Sequence, residues 1–107
     1  MKEKEVDPFY KSKRWRALRE SVLRRDGYLC QDAKRYGKLL AAQTVHHIFP
    51  RGKYPEYAWE PWNLISLSNQ AHEAMHDRTT GRLTDKGWRL LLRTAQQQGT
   101  PPPLNRC

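Results

Sequence analysis

The apolar positions of this chain change their spacing along its length, and each change predicts an element. In residues 11–26, "KSKRWRALRESVLRRD", Trp15, Leu18 and Val22 recur at intervals of three and four. That period predicts an amphipathic helix, with Ser12 as its cap and Gly27 as its stop. Tyr28 to Gln31 reads as a short extended piece, and Gly37 as a turn. "VHHIF", Val45 to Phe49, is apolar and β-branched apart from two histidines, and predicts a strand. Pro50 to Asn63 holds three prolines and one glycine and predicts a loop without regular structure. So long a loop is normally functional or disordered, and its Tyr54, Tyr57, Trp59 and Trp62 argue for one that is ordered and packed. "LISLS", Leu64 to Ser68, alternates apolar and small polar residues, and predicts a second strand. Asn69 to Arg78 reads as a short helix capped by Ser68 or Asn69, and "TTGR" as a turn. The last helix starts at Thr84, with Leu83 and Trp88 as a hydrophobic staple and Trp88, Leu91, Leu92 and Ala95 as its apolar stripe. Gly99 and three prolines end it. The expectation is an α+β fold: one domain over residues 1–100, its core at about 44–78, and a disordered tail over 101–107.

Composition narrows the setting. The chain has 107 residues and a mean hydropathy of −0.96, so four Trp and five Tyr must supply much of the buried area. No apolar run reaches the ~18–20 residues of a membrane span. The N-terminal "MKEKEVDP" lacks the apolar segment of a signal peptide, so the cytoplasm is the expected location. Cys30 and Cys107 are too few for a secreted disulfide scaffold. The net charge is +9. Residues 1–35 carry eleven bases and six acids, residues 36–80 four of each, and residues 81–107 five and one. Basic flanks around a neutral centre suit a polyanion such as nucleic acid.

The neutral centre holds all four histidines, His46, His47, His72 and His76, within a 31-residue window. On a helix over 69–78, His72 and His76 are one turn apart and share a face. Two imidazoles so spaced can reach one metal ion. A pleated strand sends His46 and His47 to opposite faces. A hairpin packed on the helix brings one of them over the helical pair. Three neutral imidazoles can hold a divalent ion and leave positions open for water and substrate. The remaining histidine, with an ordinary pKa near neutrality, can act as a base.

With "VHHI", then Asn63 in "PWNLISL", then "HEAMH", the chain resembles the HNH endonuclease family, whose core is the ββα-metal (His-Me finger) fold. The resemblance runs over roughly Phe9 to Arg78, and "FYKSKRWRALRESVLRRDGYLCQ" is similar to the lead-in helix of phage-type members. It implies a ββα core flanked by an N-terminal and a C-terminal helix. It also implies that His46 is the first metal ligand, His47 the general base, Asn63 the asparagine that holds the base-carrying loop, and His72 and His76 the second and third ligands. The implied activity is metal-dependent hydrolysis of DNA phosphodiester bonds, leaving 5′-phosphate and 3′-hydroxyl ends. Arg16, Arg24 and Arg25 of the first helix, and Arg89 and Arg93 of the last, would grip the backbone of double-stranded DNA without reading sequence. Three nitrogen ligands suit Zn²⁺, Ni²⁺ or Mn²⁺. Availability and the open, phosphate-facing positions argue for Mg²⁺ or Mn²⁺. Phage packaging proteins are partners by family analogy, and the expected state is a monomer in a host cytoplasm.

The chain departs from the family in one respect. Many members hold a structural zinc with two Cys-x-x-Cys pairs; here those positions are Cys30 with Ala33, and Ser68 with Ala71. With one thiolate of four, no tetrahedral structural zinc is expected. Packing by Trp15, Trp59, Trp62 and Trp88 is expected in its place, with Cys30 a buried hydrophobe. The alternative function is a non-catalytic, metal-containing DNA-binding module, which would need neither His47 nor an open metal position.

Overall fold

The computed structural model describes residues 7–103; the expectations for 104–107, Cys107 among them, and for the first six residues lie outside the described residues. The chain enters through a short helix α1 (Pro8–Lys11), with Asp7 Oδ1 accepting from the Phe9 amide at 2.9 Å. Ser12 is extended and is the expected cap of the second helix. Its Oγ accepts from the Trp15 amide at 3.1 Å and starts helix α2 (Lys13–Arg25). Gly27 and Tyr28 both take left-handed backbone angles and turn the chain away. The extended piece expected at 28–31 is reduced to a single bridge between Leu29 and Ala41. A short helix α3 (Gln31–Arg35), which the periodicity does not predict, follows.

Strands β1 (Thr44–His47) and β2 (Leu64–Leu67) form a two-stranded antiparallel sheet, with His46 opposite Ile65 and His47 opposite Leu64. Strand β1 ends two residues earlier than expected. The Ile48 amide bonds the Asn63 carbonyl at 2.8 Å and the Phe49 amide bonds the Asn63 side chain, so both turn out of the ladder. The connecting loop is not wholly irregular: Pro55–Tyr57 and Pro61–Asn63 form 3-10 turns, each with proline at its start. Ser68 leaves β2 to cap helix α4 (Asn69–Glu73), its Oγ accepting from the Ala71 amide at 3.2 Å.

The helix expected over 69–78 stops at Glu73. The next residues bond instead to the start of helix α5 (Asp85–Gln98). The Thr84 hydroxyl donates to the Ala74 carbonyl at 2.6 Å, the Thr84 amide to Met75 O at 2.9 Å, and His76 bridges Leu83. Gly87 makes this approach possible, since a Cβ there would lie 2.4 Å from Met75 O. The result is an α+β fold with a β-β-α core, carrying helical flanks on both sides. No described helix is long and apolar enough to cross a membrane.

Three apolar clusters hold the core. Trp15, Val22 and Leu23 of α2 pack on Val45 and Leu64, with Trp59 alongside. Ile48, Phe49, Leu83, Leu91 and Ala95 form a second cluster, with Trp62 and Trp88 at its edge. Cys30, Ala33, Leu67, Ala71 and Met75 form the third. This third cluster fills the region where the family's cysteine pairs would stand. It does so with small residues, Leu67 and Met75, and the four tryptophans pack in the other two clusters, contrary to the expectation that they take over there. Cys30 is 1% exposed.

Candidate metal centre

Strand β1 sends His46 and His47 to different neighbours. His46 faces the segment after β2. Its ring centroid lies 5.2 Å from that of His72 and 5.3 Å from that of His76, and one nitrogen from each ring lies within 4.8 Å of the others. His72 sits on the last turn of α4. His76 lies beyond the helix, in the bridge to Leu83, so it is the turn after Glu73, not a helical i, i+4 face, that carries it to the cluster.

The electrostatics keep these rings neutral. His46 is 1% exposed, and its pKa is held well below the ordinary value, first by burial and then by His72, His76 and His47. Burial likewise lowers His72, against a small opposing pull from Glu73, and lowers His76, with His72 adding to the effect. Among the described residues, His46 Nε2 is buried without a hydrogen-bond partner. An unpaired buried nitrogen is costly, typically ~1–3 kcal/mol. A cation bound by all three rings would satisfy it. Neutral imidazole is the ligand form, so the donor set fits a divalent ion.

His47 has different surroundings. Its Nε2 lies 3.1 Å from the Ala58 carbonyl, which can only accept; Nε2 therefore carries the proton, and Nδ1 the lone pair. Trp15 stacks on the ring at 5.2 Å between centroids, and Phe9 meets it edge-on at 5.7 Å. Burial lowers the His47 pKa, the bond to Ala58 opposes that, and the Arg51 charge lowers it further.

Asn63 ties the loop that carries Ala58. The residue is fully buried. Its Oδ1 accepts from the Phe49 amide at 2.7 Å, and its Nδ2 donates to the carbonyls of Phe49 and Tyr57, each at 3.2 Å. The two ends of the loop are thus clamped by one side chain, next to the carbonyl that fixes His47.

The four histidines line one open cleft of about 720 Å³ with Arg16, Arg19 and Arg51. Sequence reasoning singled out Arg16 but not the other two. Arg51 lies over the rings of Phe9 and Tyr10, at 4.4 and 5.3 Å from their centroids, and pairs with Asp7. Its only sequence cue is its place just after the histidine strand. The other four arginines expected to hold DNA lie elsewhere. Arg24 pairs with Glu20 at 3.6 Å. Arg25 bonds Asp26 and donates to the carbonyls of Pro61 and Leu64, so it braces β2. Arg89 and Arg93 line a second cavity that shares no residue with the histidine cleft.

No family model and no curated protein matches the chain. Among solved structures it is similar to the crystal structure of the HNH endonuclease, with manganese ion, of the deep-sea thermophilic bacteriophage GVE2. The two are 35% identical, the match covers 62% of this chain and 72% of that one, and the TM-score is 0.60.

Proposed function

The chain belongs to the HNH endonuclease family, and on that premise we propose that it is a metal-dependent endonuclease hydrolysing phosphodiester bonds in double-stranded DNA. The observation that carries this reading is the buried, unpartnered Nε2 of His46 between His72 and His76, one residue from a base whose other nitrogen is already fixed. His46, His72 and His76 are the proposed ligands. The manganese of the phage relative supports Mn²⁺, and Mg²⁺ competes on availability. When bound, the ion would polarise the scissile phosphate and stabilise charge on the leaving oxygen.

The chain's own residues supply the rest. His47 Nδ1 takes a proton from the attacking water, and the lowered pKa keeps that nitrogen unprotonated at neutral pH. The Ala58 carbonyl and the Trp15 and Phe9 rings hold the imidazole plane. The positioning role for Asn63 is supported by its two bonds to Phe49 at the start of the loop and its third to Tyr57, beside Ala58. Arg16, Arg19 and Arg51 bring positive charge to the cleft and suit the phosphates flanking the scissile bond. These contacts position DNA without reading its sequence.

The test is nicking of a supercoiled plasmid with Mn²⁺ or with chelator, beside calorimetric Mn²⁺ affinity, for two variants. His46→Ala should lose both metal and cleavage. His47→Ala should keep its metal and lose roughly 10²–10⁴ in single-turnover rate. The reverse pattern would exchange the two roles. Wild-type cleavage by both variants would take the chemistry away from these histidines, and a wild-type chain that binds DNA but never nicks it would leave the non-catalytic DNA-binding module as the reading.

A further inference from the structure

We propose that the cleft between α3 and α5 is a second nucleic-acid site, holding a single-stranded segment with its phosphates on Arg35, Arg89 and Arg93 and a base against the apolar floor and Tyr36. The cleft measures about 580 Å³ and shares no lining residue with the histidine cleft. That volume lies in the ~300–1,000 Å³ range of small-ligand cavities. Its floor is apolar: Ile65 and Leu90 are half-buried there, over the buried Ile48, Leu67 and Met75.

Its rim is cationic. Five bases line the cleft against two acids, Asp26 and Asp32. Those acids are already engaged, Asp26 by Arg25 at 2.9 Å and Asp32 by Lys86 at 2.7 Å. Among the described residues, Arg35 and Arg93 make no ion pair. Burial pushes the Arg93 pKa down and Arg35 pushes it further, with Arg89 adding, against the pull of Tyr36 and Asp32. The cleft therefore holds more positive charge than its own acids neutralise, and an anion relieves it.

The floor and Tyr36 decide what kind of anion. A duplex presents phosphates outward and keeps its bases stacked inside, so it would leave the apolar floor unused. A single strand brings a phosphate and an unstacked base together. Grooves for single strands combine a positive wall with an aromatic face. Tyr36 is 68% exposed beside Arg35, with no place in any of the three apolar clusters. Strand β1 lines the histidine cleft and β2 this one. The enzyme could then hold an unpaired strand apart from the duplex it cuts. This role rests on the reading that the substrate is DNA.

The test is fluorescence anisotropy of a short labelled oligothymidylate, in chelator, with the full chain. Arg35→Gln with Arg93→Gln should weaken binding roughly tenfold or more. Tyr36→Ala, an exposed change with little effect on folding, should weaken it roughly fivefold or more. Calorimetric Mn²⁺ affinity should be unchanged in both, which shows that they fold. Unchanged oligothymidylate binding in both variants overturns the proposal. Loss in His72→Ala instead places the strand in the histidine cleft and overturns it too. A glutamate-rich peptide that binds as tightly, insensitive to Tyr36→Ala, assigns the cleft to an acidic protein partner. Tight oligothymidylate binding without any plasmid nicking counts against the endonuclease reading alone.

Discussion

His46 and His47 are adjacent, and the difference between their nitrogens shows how much chemistry a single pleat can separate. One ring keeps a buried nitrogen without a partner, and the other has a backbone carbonyl fixing its tautomer. The pair was legible in the sequence because two adjacent polar rings in an apolar strand are rarely both ordinary core residues; both are buried, each with a proposed task of its own. The carbonyl of Ala58 was not legible, since any residue supplies a carbonyl and only the path of the loop selects this one. Arg51 was hidden for a related reason: its aromatic shelf comes from Phe9 and Tyr10, far away in sequence. Asn63 could be read as a turn residue until its three buried bonds are seen. Asn63→Ala strands the Phe49 amide and carbonyl, while the Tyr57 carbonyl keeps the Glu60 amide. It should destabilise the fold by about 2–4 kcal/mol, as two unsatisfied buried groups do. Cleavage should fall more than Mn²⁺ affinity, because the loop aims His47 and not the three-histidine cluster. Urea unfolding beside calorimetry checks this, and a variant as stable as wild type would deny Asn63 its clamp.

Elements were readable where local pattern and tertiary packing agree. Helices α2 and α5 and both strands follow from spacing and from Ser12, Thr84 and Gly99 at their ends. Helix α3 was missed because five residues are too short to show a period. The early end of α4 was missed because long-range bonds cause it: Ala74, Met75 and His76 bond to residues 83 and 84. That junction also places His76, so it links α5 to the three-histidine cluster. Gly87 is its tight point. Gly87→Ala puts a methyl group against Met75 O and must separate the two segments. The expected cost is about 1–3 kcal/mol. Mn²⁺ affinity should fall as well, although residue 87 touches none of the histidines. Thermal unfolding with and without Mn²⁺ measures both effects. A stability loss with unchanged affinity would mean that His76 is held independently of α5.

Across the whole molecule, the charge is basic at the flanks, yet the four histidines of the centre are all kept neutral by burial. Each histidine's pKa is lowered from an ordinary value of 6.5. The unfolded chain therefore takes up protons near that value while the folded chain still refuses them. Folding stability from these groups is present above pH 6.5 and declines as the pH falls through the lower folded values. The slope is at most about 1.4 kcal/mol per pH unit for each histidine passing through that window. Protons and metal compete for the same nitrogens, so Mn²⁺ affinity should weaken over the same range. In chelator, the urea midpoint is expected to drop between about pH 7 and about pH 5 as unfolded imidazoles charge. With saturating Mn²⁺ the midpoint should be higher at neutral pH, and the decline steeper, because each lost ion removes its binding free energy from the folded state. His46→Ala should flatten both curves most, since its ring is the most deeply buried and carries the unpartnered nitrogen. A midpoint that is level from neutral to mildly acidic pH, with and without Mn²⁺, would mean that the histidines are neither buried neutral nor holding the ion.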